Sequence, residues 1–190
     1  PSKPVGPYLT EEEATRRRDE LGWSVAEHPD KRGWRRLVPS PTPVRVVQRD
    51  MIRQAAARGS IVIAAGGGGI PICKDDHDDY SGIEAVIDKD LTSGTLATNV
   101  GADLLIILTA VDRVWLRFGE PDQAPLDAVT MAETRRYIDA GHFPPGSMGP
   151  KVRAVYEFLQ RGGRRGLITD AANLSKALDG DAGTHFVGRI

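Results

Sequence analysis

Two lysines, an aspartate and a run of glycines carry the chemistry that this sequence can be read for. Residues 144–152, PPGSMGPKV, set Lys151 just after Gly146, Gly149 and Pro150, a punctuation suited to the first turn of a helix. The free N–H groups of such a turn, with an ammonium beside them, favour an anion. Residues 84–91, EAVIDKDL, put Asp88, Lys89 and Asp90 behind an apolar, strand-like run. If a strand ends there, these charges lie at the ligand edge of a sheet. Gly66, Gly67, Gly68 and Gly69 follow another apolar run and remove every side chain where the backbone turns, which suits close approach by a phosphate or other oxyanion.

Each motif has an ordinary reading as well. Gly-Pro helix starts are common loop punctuation, DKD is a common surface turn, and the glycine run lacks both the GKS or GKT ending of a P-loop and the GxGxxG spacing of a dinucleotide site. Their combination is what changes the odds. Lys89 and Lys151 supply cations, Asp90 a carboxylate to hold them, and the glycines free backbone N–H groups. Phosphoryl transfer needs that set, because its loose transition state is served by positioning and charge neutralisation rather than by a protein nucleophile.

The elements that must position these groups are legible in outline. LTEEEATRRRDELG predicts a helix with Thr10 as N-cap, Glu13 completing a capping box and Gly22 as the stop. Residues 23–28 and 34–39 predict a β-hairpin around PDKRG, with Tyr8, Trp23 and Trp34 as its small core. Pro39, Pro41 and Pro43 then predict a stiff connector, so residues 1–43 read as a lid and 44–190 as an α/β half. VVQRDMIRQAAARG reads as a helix. SIVIAA at 60–65, DLLIILT at 103–109 and RRGLITD at 164–170 read as strands buried on both faces, as in a parallel sheet. Val152, Val155, Phe158 and Leu159 form the core stripe of a helix over 149–161. The glycine run and LTAVDRVW both fall at carboxyl ends of predicted strands, where open parallel sheets bind ligands.

Composition excludes several classes. Lys and Arg number 25 against 26 Asp and Glu, a net charge of -1, and the basic runs TRRRD, WRRL and GGRRG are scattered, which argues against nucleic acid or a membrane surface as partner. No stretch approaches the roughly 18 apolar residues of a membrane span. Cys73 stands alone, so no internal disulfide forms, which fits a reducing cytosol. CKDDHDDY, residues 73–80, lacks the paired Cys or His set of a structural metal site and reads as a solvated acidic loop, so no protein-held metal is expected. His28, His142 and His185 have no serine or cysteine constellation around them.

KPVGPY, GWRRLVPSP, AAGGGGIP, EAVIDKDL, GADLLIILTAVDRVW and HFPPGSMGPK occur in this order over most of the sequence, and together they resemble the carbamate kinases of the amino-acid kinase superfamily. The resemblance implies reversible phosphoryl transfer between ATP and carbamate, giving ADP and carbamoyl phosphate, with Mg2+. It implies a three-layer αβα sandwich with a mostly parallel sheet and a helix-hairpin lid, a homodimer, a cytoplasmic enzyme and a place in arginine catabolism. Carried over by position, Lys151 and Lys89 match the lysines that neutralise the transferring phosphoryl group, Asp90 the carboxylate that organises them, and Lys3 a lid lysine reaching toward the phosphates. Met148, Gly149, Val152, Val111, Asp112 and Trp115 fall where such enzymes hold the nucleotide.

The resemblance departs in two ways. LTAVD has Ala110 where these kinases usually have aspartate, and Trp115 stands where tyrosine is more usual. The N-terminal half with GGNA and GNGPQ loops, which helps hold carbamate and phosphates, has no counterpart here. PSKPVGPY also reads like the middle of a longer sequence. Two readings stay open: a kinase represented by its lid and nucleotide half, whether carbamate kinase or a sister enzyme, and a noncatalytic nucleotide-binding module or remnant.

Overall fold

The computed structural model describes residues 1–188, in two compact units. Residues 1–42 and 69–87 form the first, and residues 43–68 and 88 onward the second, so the acidic segment groups with the N-terminal residues. The last two residues of the predicted 44–190 half lie outside the described residues.

In the first unit, β1 (Lys3–Leu9), β2 (Ser24–Glu27) and β3 (Trp34–Val38) pair antiparallel in the order β1-β3-β2. Helix α1 (Glu11–Leu21) starts on the expected box: Glu13 N–H donates to Thr10 Oγ1 at 3.2 Å and Thr10 N–H donates to the Glu13 carboxylate at 3.1 Å. It ends at Gly22 in the left-handed region, φ 65°. The expected aromatic core is not there. Tyr8 is exposed and Trp23 and Trp34 only half-buried, and guanidinium groups cover the rings instead, Arg17 and Arg36 at 4.9 and 4.4 Å from the Trp23 centre and Arg32 and Arg35 over Tyr8. Helix α1 explains this, since Ala14 is its one buried residue and offers the rings almost no apolar surface, whereas arginine stems and planes can lie on them. The segment 69–87 carries a short hairpin, β4 (Ile72–Lys74) with β5 (Tyr80–Gly82).

The second unit contains α2 (Arg49–Ala57), α3 (Lys89–Val100), β6 (Leu104–Leu108), β7 (Val114–Leu116), β8 (Ala124–Leu126), β9 (Ala128–Thr130), α4 (Met131–Asp139), α5 (Met148–Gln160), β10 (Arg165–Thr169), α6 (Leu174–Asp179) and β11 (Thr184–Val187). Its sheet has the order β6-β10-β11-β9. The pairs β6–β10 and β11–β9 are parallel and β10–β11 antiparallel, so the α/β class holds with a mixed sheet.

Alternation along the strands builds three layers. Leu105, Ile107, Ile168 and Phe186 face the main core with Val152, Val155, Phe158 and Leu159 of α5, while Leu104, Ile106 and Leu167 face the opposite side with Ala177 of α6. The predicted strands at 103–109 and 164–170 are thus β6 and β10, paired side by side.

Two predicted strands do not form. SIVIAA at 60–65 has no ladder, and Ile61 and Ile63 are 97% exposed. It has the composition of β6, but a strand also needs flanking backbone partners, and none of the described strands lies beside it. The run 84–87 is likewise not a strand; Asp88 instead opens helix α3. Among the described residues no helix is long and apolar enough to cross a membrane.

Candidate active site

Short connections put several helix N-termini at one edge of the sheet. Helix α3 ends at Val100 and β6 begins at Leu104; α5 ends at Gln160 and β10 begins at Arg165. Each helix therefore runs back against the strand that follows it, and its N-terminus lies near that strand's carboxyl end, where parallel sheets take ligands.

Asp88 caps α3 with extended backbone, φ -70° and ψ 129°, its carboxylate accepting the Asp90 N–H at 2.9 Å. That cap fixes the first turn and with it Lys89 and Asp90. Helices α3 and α5 pack closely, and a Cβ built on Gly94 would lie 2.8 Å from the Ala154 carbonyl oxygen. Only glycine admits this approach. One turn earlier along α3, Asp90 reaches Lys151 in the first turns of α5, with Nζ to Oδ2 at 2.7 Å. The Lys89 ammonium lies 3.9 Å from the same Oδ2.

Asp90 and Lys151 are largely buried, whereas the Lys89 side chain is exposed. Two ammonium groups thus share one carboxylate oxygen at the entrance of two helix N-termini, whose dipoles add partial positive charge. Asp90 is well placed at its helix N-terminus; Lys151 is not, and needs a neighbouring anion. The cluster thus presents one fixed cation and one on an exposed side chain that can swing.

The remaining predicted residues are distributed as follows. Gly66, Gly67 and Gly68 belong to the second unit, and Gly68, at φ 137°, has its carbonyl oxygen 2.8 Å from the Thr92 hydroxyl. Gly69 belongs to the first unit, as does Lys3, which stands on β1 opposite Val38. Val111 and Asp112 follow the carboxyl end of β6, where Thr169 Oγ1 donates to the Asp112 carbonyl oxygen at 3.0 Å and Arg113 Nε to its carboxylate at 3.1 Å. Trp115 is half-buried in β7. Met148 and Gly149 open α5, and Gly149 N–H donates to the Pro144 carbonyl at 2.9 Å. Val152 is fully buried in the main core, where it packs α5 onto the sheet rather than presenting surface to a ligand.

Sequence reasoning missed three positions. Asp88 reads from the sequence as a strand-end charge, although an aspartate immediately ahead of a helical run is an ordinary cap signal. Thr92 and Gly94 gave no signal, because both act on atoms distant in sequence.

A profile of the amino acid kinase family matches residues 9–170. The carbamate kinase of Thermococcus kodakarensis is 46% identical over 187 residues, covering 98% of this chain and 59% of that protein. The carbamate kinase-like protein YahI of Escherichia coli is 44% identical over 192 residues, with the same two coverages. Among solved structures, carbamate kinase from Giardia lamblia bound to AMP-PNP aligns with a TM-score of 0.90 at 38% identity, over 100% of this chain and 60% of that one. The chain thus spans about three fifths of the length of the relatives it matches.

Proposed function

Because the chain belongs to the amino acid kinase family, we propose that it forms the nucleotide-holding part of a carbamate kinase, which transfers a phosphoryl group reversibly between ATP and carbamate, giving ADP and carbamoyl phosphate. The observation that carries this reading is the pair of lysines, Lys151 and Lys89, on the single Asp90 oxygen at two helix N-termini. Such a site supplies what phosphoryl transfer asks of a protein: positioned cations for charge that spreads over three oxygens.

The relatives support the choice of acceptor, and the nucleotide analogue bound by the Giardia enzyme supports that of donor. Lys151 holds a phosphate oxygen, Lys89 closes on the transferred group, and Asp90 keeps both ammonium groups in range. Met148, Gly149, Val111, Asp112 and Trp115 line the nucleotide, and the resemblance gives Lys3 the role of a lid lysine for the phosphates. Magnesium enters with the nucleotide as MgATP. Asp90 is committed to two ammonium groups, which fits an ion carried by phosphates and water rather than by protein carboxylates. Cytoplasmic location, a homodimer and a role at the end of arginine catabolism come with this reading from the resemblance.

The 190-residue chain itself provides the test. It is expected to bind ADP or ATP with a Kd between about 1 μM and about 1 mM, a range suited to a partly built site. It is also expected to form no measurable ATP from ADP and carbamoyl phosphate, because near-attack geometry needs the acceptor held as well as the donor. Calorimetry with ADP and a coupled ATP assay read the two halves of this expectation. Absence of nucleotide binding by folded protein removes the proposal; binding without turnover, even after completion to the relatives' length, favours the noncatalytic module.

In an enzyme so completed, Asp90→Asn keeps the side chain's shape and drops the charge that spans the two lysines. Carbamate is already an anionic nucleophile, so no proton need be removed before attack. Activity is expected to fall with the form of the pH–rate profile preserved. A profile that loses its acidic limb on this substitution, the side on which a carboxylate base is protonated and idle, shows instead that Asp90 removes a proton.

A further inference from the structure

Thr92 is a hydroxyl buried to 3% exposure in the second turn of α3, and nothing in the phosphoryl-transfer chemistry calls for it. Its Oγ1 lies 2.8 Å from the Gly68 carbonyl oxygen and 3.1 Å from the Asp88 carbonyl oxygen. One hydroxyl has one proton to give. The Asp88 carbonyl already accepts the Thr92 backbone N–H at 3.0 Å, as any helix would arrange, so it is satisfied without the side chain. The Gly68 carbonyl is the shorter contact and lies on a buried residue, where an unpaired acceptor is costly. The proton therefore goes to Gly68.

We propose that Thr92 is a positioning residue that ties the tetraglycine turn to the helix bearing Lys89 and Asp90, so that the N–H groups the turn does not use within itself, Gly67 foremost, and the lysine cluster face one phosphate chain. This rests on the reading of the glycine turn as a phosphate cradle. Ala65, Gly66, Gly68 and Gly69 all have positive φ, and the turn closes on itself through Gly66 N–H to the Ala64 carbonyl and Gly68 N–H to the Ala65 carbonyl, both at 2.9 Å; these local bonds shape it without fixing where it sits against the helix. A single side chain from α3 supplies that anchor. Asp88 caps the same helix and Asp90 lies two residues before Thr92, so one short stretch of α3 sets both the cations and the cradle.

The test compares Thr92→Val, which keeps the shape and removes the donor, with Thr92→Ser, which keeps the donor. In nucleotide-free protein, the amide resonances of Gly66 to Gly69 are expected to shift in Thr92→Val and to stay near their original positions in Thr92→Ser. ADP affinity is expected to fall about tenfold in Thr92→Val, the order of effect for stranding one buried acceptor, while adenosine affinity is unchanged. Thr92→Ser restores ADP binding. If Thr92→Val does not fold, Thr92→Ala is read in the same way. Unmoved glycine resonances overturn the tether, and an equal loss for adenosine and ADP makes Thr92 merely structural. An unsubstituted chain that binds adenosine and ADP alike overturns the cradle and this inference together, while the glycine resonances still report whether the tether exists.

Discussion

Lys151→Ala is expected to lower kcat for phosphoryl transfer by roughly 100-fold or more in an enzyme completed to the relatives' length, the scale of losing one preorganised electrostatic stabiliser. Nucleotide affinity is expected to change far less, because charge that grows in the transition state is read in kcat rather than in binding. A second effect is structural. Lys151 and Asp90 are both largely buried, with side chains 14% and 10% exposed. Removing one partner strands the other, so the variant should lose about 3 kcal/mol of stability.

The two effects separate in the double variant. Lys151→Ala with Asp90→Asn leaves no buried charge to strand, and is expected to recover much of the denaturation midpoint while phosphoryl transfer stays lost. Near-normal kcat in Lys151→Ala takes this lysine out of the chemistry. A midpoint unchanged in the single variant shows that the pair adds nothing to stability.

Gly94→Val should disturb the same pair from a distance. Its first side-chain carbon would lie 2.8 Å from the Ala154 carbonyl oxygen and 3.3 Å from the Ala154 Cβ, and backbone cannot swing aside as the tip of a side chain can. Helices α3 and α5 must separate. Asp90 lies one turn before Gly94 and Lys151 one turn before Ala154, so separation lengthens the 2.7 Å ion pair. The expected cost is about 2–3 kcal/mol of stability, within the range for overpacking a close contact, with weakened ADP binding. Gly94→Ala meets the same 2.8 Å backbone contact but adds no atoms beyond Cβ, so with about 1 kcal/mol of helix propensity set against the clash it is expected to cost less than Gly94→Val. Denaturant titration and calorimetry check both, and a Gly94→Val protein with unchanged stability and affinity means that the helix crossing is set elsewhere.

Local signals in the sequence were read well where the physics is local. The Thr10 and Glu13 box and the Gly22 stop delimit α1 because a cap is satisfied within four residues. The stripe of Val152, Val155, Phe158 and Leu159 foretells α5 because periodicity alone decides which face is buried. SIVIAA shows where this logic ends: it matches β6 in composition, yet strand formation depends on a partner elsewhere in space. Tyr8, Trp23 and Trp34 teach the same point for cores, since aromatic residues pack together only if neighbouring elements bring apolar surface.

At the candidate site, Lys151, Lys89 and Asp90 were found by residue type, and the structure gathers them around one oxygen. The contacts that hold the cluster in place were not legible. Gly94 acts through a carbonyl some sixty positions away, and Thr92 through the backbone of a loop that precedes its helix. Neither spacing forms a motif.

The strand order β6-β10-β11-β9 also sets a timetable for synthesis. Among the described strands β9 pairs with β11 alone, and β11 is the last of them to leave the ribosome. Until Thr184–Val187 emerges, β9 has no ladder and Phe186 has not closed the main core, so the sheet is left as a lone β6–β10 pair. Long-range pairings of this kind form late, and the interval exposes unpaired strand edges on the nascent chain. A ribosome stalled before Thr184 should therefore present a chain whose helices have begun to form and whose sheet has not, a substrate for chaperones that bind exposed apolar strands.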